Sequence, residues 1–373
     1  MSKHLHLVCF DVPYPPDYGG AIDMFYKLVS LYEAGIKIHL HYFIYNHRGN
    51  PNELNQYCET IHVYERKTGH KGFSLGLPYI VSSRINAELI DALLKDNYPV
   101  LLEGIHCSGI AKYICNDNRK VIIRLHNDES AYYQQLTQSE LNLAKKIYYW
   151  NESRLLKIYQ QSLPENCIYA SICKNDTDIF KEKYHLKNTR YLPAFIPFKE
   201  VISQEGTGNF CLYHGNLSVA ENEKTAVWLM QHVFSKIKQP LVIAGKDPSP
   251  RLEKLVNMYE NICLVQNPTC MEMNDLVQKA HIHILPSFNK TGTKLKLLQA
   301  VFAGRHCITN EEMIRGTDVE AACHTGSTAD AIASIILQLY HQPFTFDEIL
   351  LRKKLLKFQY DNAKNAAELM TWI

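Results

Sequence analysis

Most short signatures that would settle the chemistry outright are missing from this chain. Its 373 residues hold no CxxC pair, no GxGxxG, no GxxxxGK(S/T) and no HExxH. A dithiol redox centre, the dinucleotide-binding fingerprint, a Walker-type phosphate loop and a zincin protease are thereby excluded. No run of about 18 apolar residues is present, so no segment reads as a bilayer-spanning helix. Charge of one sign is not in excess either. Forty Lys and Arg face 38 Asp and Glu, a formal net charge of +2 with 17 histidines neutral. That balance argues against a general nucleic-acid binder, which needs many phosphate contacts. The 11 cysteines are odd in number and scattered, which is no disulfide framework and fits a reducing cytoplasm. Cys9, Cys211 and Cys263 sit in apolar strand-like runs and read as small buried hydrophobes. The opening MSKHLHLVCFDVPYPP brings charge and proline after a short apolar stretch, which is not the pattern of a secretory signal.

What is present is a strand–helix alternation that occurs twice. LHLVCF, IKIHLHYF, IHVY, VLLEG, KVIIRLH and CIYASI read as strands, with helical patterns at 20–34, 83–96 and 107–117 between them. Such spacing predicts an α/β fold with parallel sheet covered on both faces. Residues 130–160 predict one long helix or a bent pair, with Tyr148, Trp150, Leu155 and Ile158 as buried candidates. YLPAFIPFKEVISQEGTGN (191–209) reads as a linker. The alternation restarts with FCLYHG, PLVIAG, ICLV, HIHILPS and HCITN, interleaved with helices, and ends in helices over 328–340 and 346–370. The expected boundaries are 1–195, 196–345 and a final 346–373 segment crossing back onto the first domain.

Candidate chemistry gathers where strands end, because α/β folds bind ligands outside the carboxyl ends of their strands. Gly19 and Gly20 follow the first strand and permit a tight turn with open backbone N–H groups; a plain strand–helix turn is the simpler alternative. RLHNDE (124–129) places His126 at the end of KVIIRL, suited to proton transfer near neutral pH, or else serving with Asn127 and Asp128 as a helix cap. Glu103 and His106 follow VLLEG in the same way. Further on, Gly215 and Asn216 follow FCLY, and Lys246 follows PLVIAG. Lys290, Gly292, Thr293, Lys294 and Lys296 then surround a helix start, a setting suited to a diphosphate. A capped amphipathic helix with solvated lysines is the plainer alternative. No metal site is expected.

With these segments assembled, the chain resembles the GT-B glycosyltransferases of the large retaining family 4, or group 1. YHGNLSVAENEKTAVWL is similar to the opening of that family's nucleotide-sugar domain, and GTKLKLLQAVFAGRHCIT to its GT(K/R)xKxxEAMAxGxPVV stretch. SICKNDTDIFKEKY (171–184) matches the segment before its linker. The resemblance implies two Rossmann-like domains with parallel sheets facing across a cleft. It implies metal-independent, hexosyltransferase-like transfer from a UDP- or GDP-sugar to a glycan or lipid-linked acceptor, in surface polysaccharide synthesis. By the same resemblance Gly20, His126 and Lys294 are catalytic, and Gly19, Gly215, Asn216, Lys246, Gly292, Thr293, Lys296 and Gln299 contact the donor. Departures are also present. Thr291 and Gln299 stand where relatives carry a Glu-x7-Glu pair, and Asn216 where an arginine is usual. They keep open two alternatives, a same-fold nucleotide-sugar epimerase and a catalytically degenerate sugar-nucleotide-binding subunit. Expected partners are the nucleotide sugar and its acceptor, with no nucleic acid. The basic, aromatic KKIYYWNESRLLKIYQQ allows peripheral membrane contact at most, at the inner face of a membrane from a cytoplasmic location.

Overall fold

The computed structural model describes residues 3–44, 51–116, 118–140, 142–288, 295–357 and 359–373. Two compact units emerge. The amino-terminal unit takes in Met1–Pro197 and Tyr360–Ile373, and the carboxy-terminal unit Phe198–Lys290 and Lys294–Gln359.

Among the described residues, the amino-terminal unit is built on a parallel sheet of β1 (His4–Cys9), β2 (Lys37–Ile44), β3 (Thr60–Glu65), β4 (Val100–Glu103), β5 (Val121–Leu125), β6 (Ile168–Ser171) and β7 (Thr189–Tyr191), in the order β3-β2-β1-β4-β5-β6-β7. Every residue of β4 and β5 is buried, which explains the apolar runs Val100–Leu102 and Val121–Ile123 that open them. The pleat divides them between two cores. Val8, Leu102 and Ile123 pack on one face, and Leu7, Leu101 and Ile122 on the other. The second core also takes Ala366 and Leu369 from the last helix, Asn362–Met370, and Trp372 just beyond it. Asn362 anchors that helix, accepting from the Ile196 N–H at 3.1 Å and donating to its carbonyl at 2.8 Å.

The carboxy-terminal unit repeats the plan with β8 (Cys211–His214), β9 (Leu241–Gly245), β10 (Ile262–Gln266), β11 (Ile282–Ile284), β12 (His306–Thr309) and β13 (His324–Thr325), all parallel, in the order β10-β9-β8-β11-β12-β13. In both sheets the strand order reverses beside the first strand, between β1 and β4 and between β8 and β11. Crevices of this kind are where open α/β sheets bind ligands.

Several local expectations need correction. The 83–96 helix shortens to Ala87–Leu93, started by Asn86, whose side chain accepts from Leu89 N–H at 3.0 Å. The 107–117 pattern resolves into short turns, Ser108–Ile110 and Ala111–Ile114. The 346–370 stretch forms two helices, Phe346–Leu356 and Asn362–Met370. Residues 130–160 form the pair Glu129–Ser139 and Leu143–Gln161, the second capped by Asn142. On that second helix Leu155 is buried, but Tyr148, Trp150 and Ile158 are exposed. Its inward face carries Glu152 and Gln160, which satisfy buried backbone N–H groups of Tyr79 at 2.8 Å and Ser130 at 3.2 Å. Those polar contacts fix the helix rotation and turn its aromatic side outward. Cys9 and Cys211 are buried, whereas Cys263 is exposed on the edge strand β10.

Candidate active site

The first site grows from the turn after β1. The Gly19–Glu33 helix begins without a side-chain cap, so the N–H groups of its first turn are open to a ligand. Gly20 cannot carry a side chain here, because a Cβ would lie 2.8 Å from the Phe10 ring and 2.9 Å from that of Tyr18. The Tyr18 hydroxyl donates to Asp11 at 2.9 Å and holds that wall in place.

One turn into this helix, two charges point into the protein. Asp23 and Lys27 are both fully buried, and the Lys27 ammonium donates to Asp23 and to Glu103 at 2.7 Å each. Arg124, at the end of β5, grips Asp23 with two guanidinium nitrogens at 3.1 and 3.0 Å. His126, just beyond, places Nε2 3.1 Å from the second oxygen of Glu103. Phe10 packs edge-on to His126 and stacks on the half-buried His106, with centroids 5.6 and 4.7 Å apart. Two carboxylates thus meet two permanent cations. Burial alone drives the Asp23 carboxyl up, but Arg124 and Lys27 outweigh it and hold Asp23 well below the usual carboxylate range. Glu103 shows the same contest, with Lys27 and the His126 hydrogen bond keeping it ionised against burial. The ionised Glu103 accepts the Nε2–H of His126, leaving Nδ1 as an acceptor. Donor atoms of Asp23, Glu103 and His126 lie within 4.8 Å of one another, but Lys27 already supplies the positive charge between the two carboxylates.

The second site occupies the exits of β8, β9, β11 and β12. A Cβ on Gly245 would collide with the Gly215 carbonyl oxygen, so the first two strand exits touch through bare backbone. Asn222 organises the neighbourhood, donating to the Asn216 carbonyl at 2.9 Å and accepting from the Lys296 ammonium at 3.0 Å. Lys296 also lies 5.1 Å above the Tyr213 ring. Burial, aided by the Lys296 charge, pushes the adjacent His214 down to about 3, so it stays neutral. Across the switch point, Asn310 accepts from the Ser287 N–H at 2.9 Å and donates to its carbonyl at 2.7 Å.

The structure therefore gathers Gly19, Gly20 and His126 at strand exits of one sheet, and Gly215, Asn216 and Lys296 at those of the other. Lys246 is exposed at the tip of β9. Gln299, one turn along the same helix from Lys296, donates to Asn274 at 3.4 Å. Lys290, Thr291, Gly292, Thr293 and Lys294 lie outside the described residues. Sequence reasoning missed Asp23, Lys27, Asn222 and Asn310. The signal for the first two was an acid–base pair at i, i+4 with Ser30 on the same stripe of an otherwise apolar helix.

Residues 208–342 match the family model of the group 1 glycosyl transferases. Over 315 residues the chain is 28% identical to an uncharacterized 44.6 kDa protein in the cps region of Klebsiella pneumoniae, spanning 79% of each chain. Sucrose-phosphate synthase from Thermosynechococcus elongatus superposes with a TM-score of 0.69 at 13% identity, covering 99% of this chain and 98% of that one. A variant of S. aureus TarM in complex with UDP, fondaparinux and alpha-GlcNAc-glycerol gives 0.67 at 10% identity, with 99% of both chains covered.

Proposed function

Taking the chain as a glycosyltransferase of the GT-B superfamily, we propose that it moves a sugar, with retention, from a UDP- or GDP-sugar to a glycan or lipid-linked acceptor in surface polysaccharide synthesis. The carboxy-terminal unit holds the donor. Backbone at Gly215, the Lys296 ammonium and, in the sequence before Leu295, Lys294 meet the diphosphate, whose negative charge grows as the bond to the anomeric carbon breaks. The acceptor hydroxyl forms the new bond on the same face, and its proton passes to the departing phosphate. In the amino-terminal unit His126 Nδ1 and the helix start at Gly19 and Gly20 are the groups offered to substrate.

The observation that carries this reading is the His126–Glu103 pair beside the β1/β4 switch point, a polar acceptor held rigid by buried charge. The same charges speak against an epimerase. Its acid and base carboxyls must exchange protons, whereas Asp23 and Glu103 are locked in ion pairs.

A lipid-linked acceptor gains support from one face of the amino-terminal unit. Segments 66–79 and 143–161 carry Arg66, Lys67, Lys71, Lys145, Lys146, Arg154 and Lys157, and their sole acid, Glu152, is buried. Phe73, Leu75, Leu143, Ile147, Trp150 and Ile158 are each more than half exposed there. Phe73, Tyr79 and Tyr148 line an apolar hollow of about 360 Å³. Cations interleaved with exposed aromatic and aliphatic groups suit an anionic membrane surface.

Thermal melting with UDP and GDP, paired with transfer of labelled sugar to glycan and lipid extracts, tests the proposal. At least one nucleotide raises the melting temperature. Lys296→Ala shrinks that shift, while His126→Ala keeps it and lowers turnover by about 100-fold or more. Absence of any shift at saturating nucleotide overturns the reading, and a shift without transfer leaves the degenerate subunit instead.

A further inference from the structure

Three ligand-type side chains converge in the carboxy-terminal unit, beside the amino end of β12 and away from the strand exits just described. His306 opens β12, His324 opens β13 and Glu348 lies in the first turn of the Phe346–Leu356 helix. Their donor atoms all lie within 4.8 Å of one another. His306 is only 3% exposed. Its Nε2–H donates to the Gln342 carbonyl at 3.0 Å, which fixes the tautomer and leaves a lone pair on Nδ1. That Nδ1 makes no hydrogen bond, although Glu348 Oε1 is 3.3 Å away.

The geometry explains why this pairing is unusual. Glu348 Oε2 is already engaged, accepting from the Thr345 N–H at 2.8 Å and hydroxyl at 2.9 Å to cap its helix. Oε1 is left turned toward Nδ1. With the tautomer set by Gln342, both facing atoms are acceptors, and their repulsion calls for a positive centre. A metal ion would supply one. Ligand atoms about 2.0–2.1 Å from a tetrahedral zinc are separated by about 3.4 Å, close to the 3.3 Å between His306 Nδ1 and Glu348 Oε1. The neighbouring Arg352 is not a substitute, because its guanidinium is spent on the carbonyls of Val301 at 3.1 Å and Gly304 at 2.6 Å. His281 packs edge-on to His306 but has no nitrogen to offer, since Nδ1 accepts from Gly208 N–H at 3.1 Å and Nε2 donates to Leu339 at 3.0 Å.

We propose that His306 Nδ1, His324 and Glu348 Oε1 bind one zinc ion, with water as the fourth ligand, bracing the Phe346–Leu356 helix against the β12–β13 edge. Two imidazoles and one carboxylate select zinc over magnesium or calcium, which prefer all-oxygen shells. The site is structural and stands independently of the transfer reaction.

Titration of the untagged, metal-stripped full chain with cobalt(II), then zinc(II), tests it. The wild type takes up one cobalt with the intense visible absorption of four-coordinate geometry, and zinc displaces it and raises the melting temperature. Glu348→Gln retains the helix cap, since glutamine also accepts from Thr345, yet binds at least about ten-fold more weakly. His324→Ala does the same, with unchanged circular dichroism. Because the chain has 17 histidines, His62→Ala, in the other unit, serves as control and leaves the signal intact. No four-coordinate cobalt spectrum in the wild type, or equal binding by Glu348→Gln and His324→Ala, overturns the proposal.

Discussion

Asp23 shows how much one buried carboxylate can hold. It accepts from Lys27, twice from Arg124 and from the Phe195 N–H at 2.9 Å. Asp23→Asn keeps the shape but leaves two cations facing Glu103 alone. Uncompensated buried charge costs about 3–5 kcal/mol, so urea unfolding shifts to much lower midpoint or the variant fails to fold. Asp330→Asn, which breaks an exposed pair with Lys236, leaves the midpoint nearly unmoved. Equal behaviour of the two variants would show that the interior charges are not mutually dependent. Little of this was legible at the residue level from sequence, because an acid and a lysine at i, i+4 ordinarily mark a solvated helix face, and only Ser30 on the same stripe pointed the other way. What betrays the reverse is tertiary: β4 and β5 bring Glu103 and Arg124 to the same helix face.

At the scale of elements, strands were the most readable part. VLL and VII are apolar runs inside β4 and β5, and runs of that kind have few folds open to them besides interior parallel sheet. Strand exits followed directly, and with them Gly20, His126 and Gly215. Helix orientation was not readable. Leu143–Gln161 has aromatic residues that pattern reasoning sends inward, yet the caps and backbone bonds made by Glu152 and Gln160 rotate them out. The outward stripe yields a test. Vesicles containing anionic phospholipid pellet the wild type, whereas Ile147→Glu combined with Trp150→Ala stays in the supernatant without loss of melting temperature. Equal, negligible pelleting of the wild type with anionic and zwitterionic vesicles would remove the membrane reading.

For the whole molecule, pH acts on both units through imidazoles kept neutral. Burial pushes His41 down to about 2 and His214 to about 3, and holds His106 and His283 well below the usual value. Unfolded, each takes a proton near pH 6.5, so stability falls as the pH drops below that value. Two buried carboxyls work the other way. Glu129 is raised to about 7 and Glu152 to about 6, so their contribution is present at low pH and is lost as pH rises toward those values. The imidazoles are more numerous, and below about pH 4.5 the unfolded chain also takes protons on Asp23 and Glu103 that their folded ion pairs refuse, which adds to the effect. Urea midpoints measured from pH 8 to pH 5 therefore decline toward acid. A flat or rising profile would mean that the histidines titrate freely in the folded state.

The ion cluster around Asp23 has a further consequence for ionic strength. Dissolved salt screens fields only through water, over about 8 Å at physiological strength, and no water-exposed path reaches side chains as deeply enclosed as Asp23, Lys27 and Arg124. Brine can therefore weaken whatever the lysine-bearing exterior attracts while leaving this interior neutralisation intact, so one solvent variable separates what the molecule holds on its outside from what holds the molecule together.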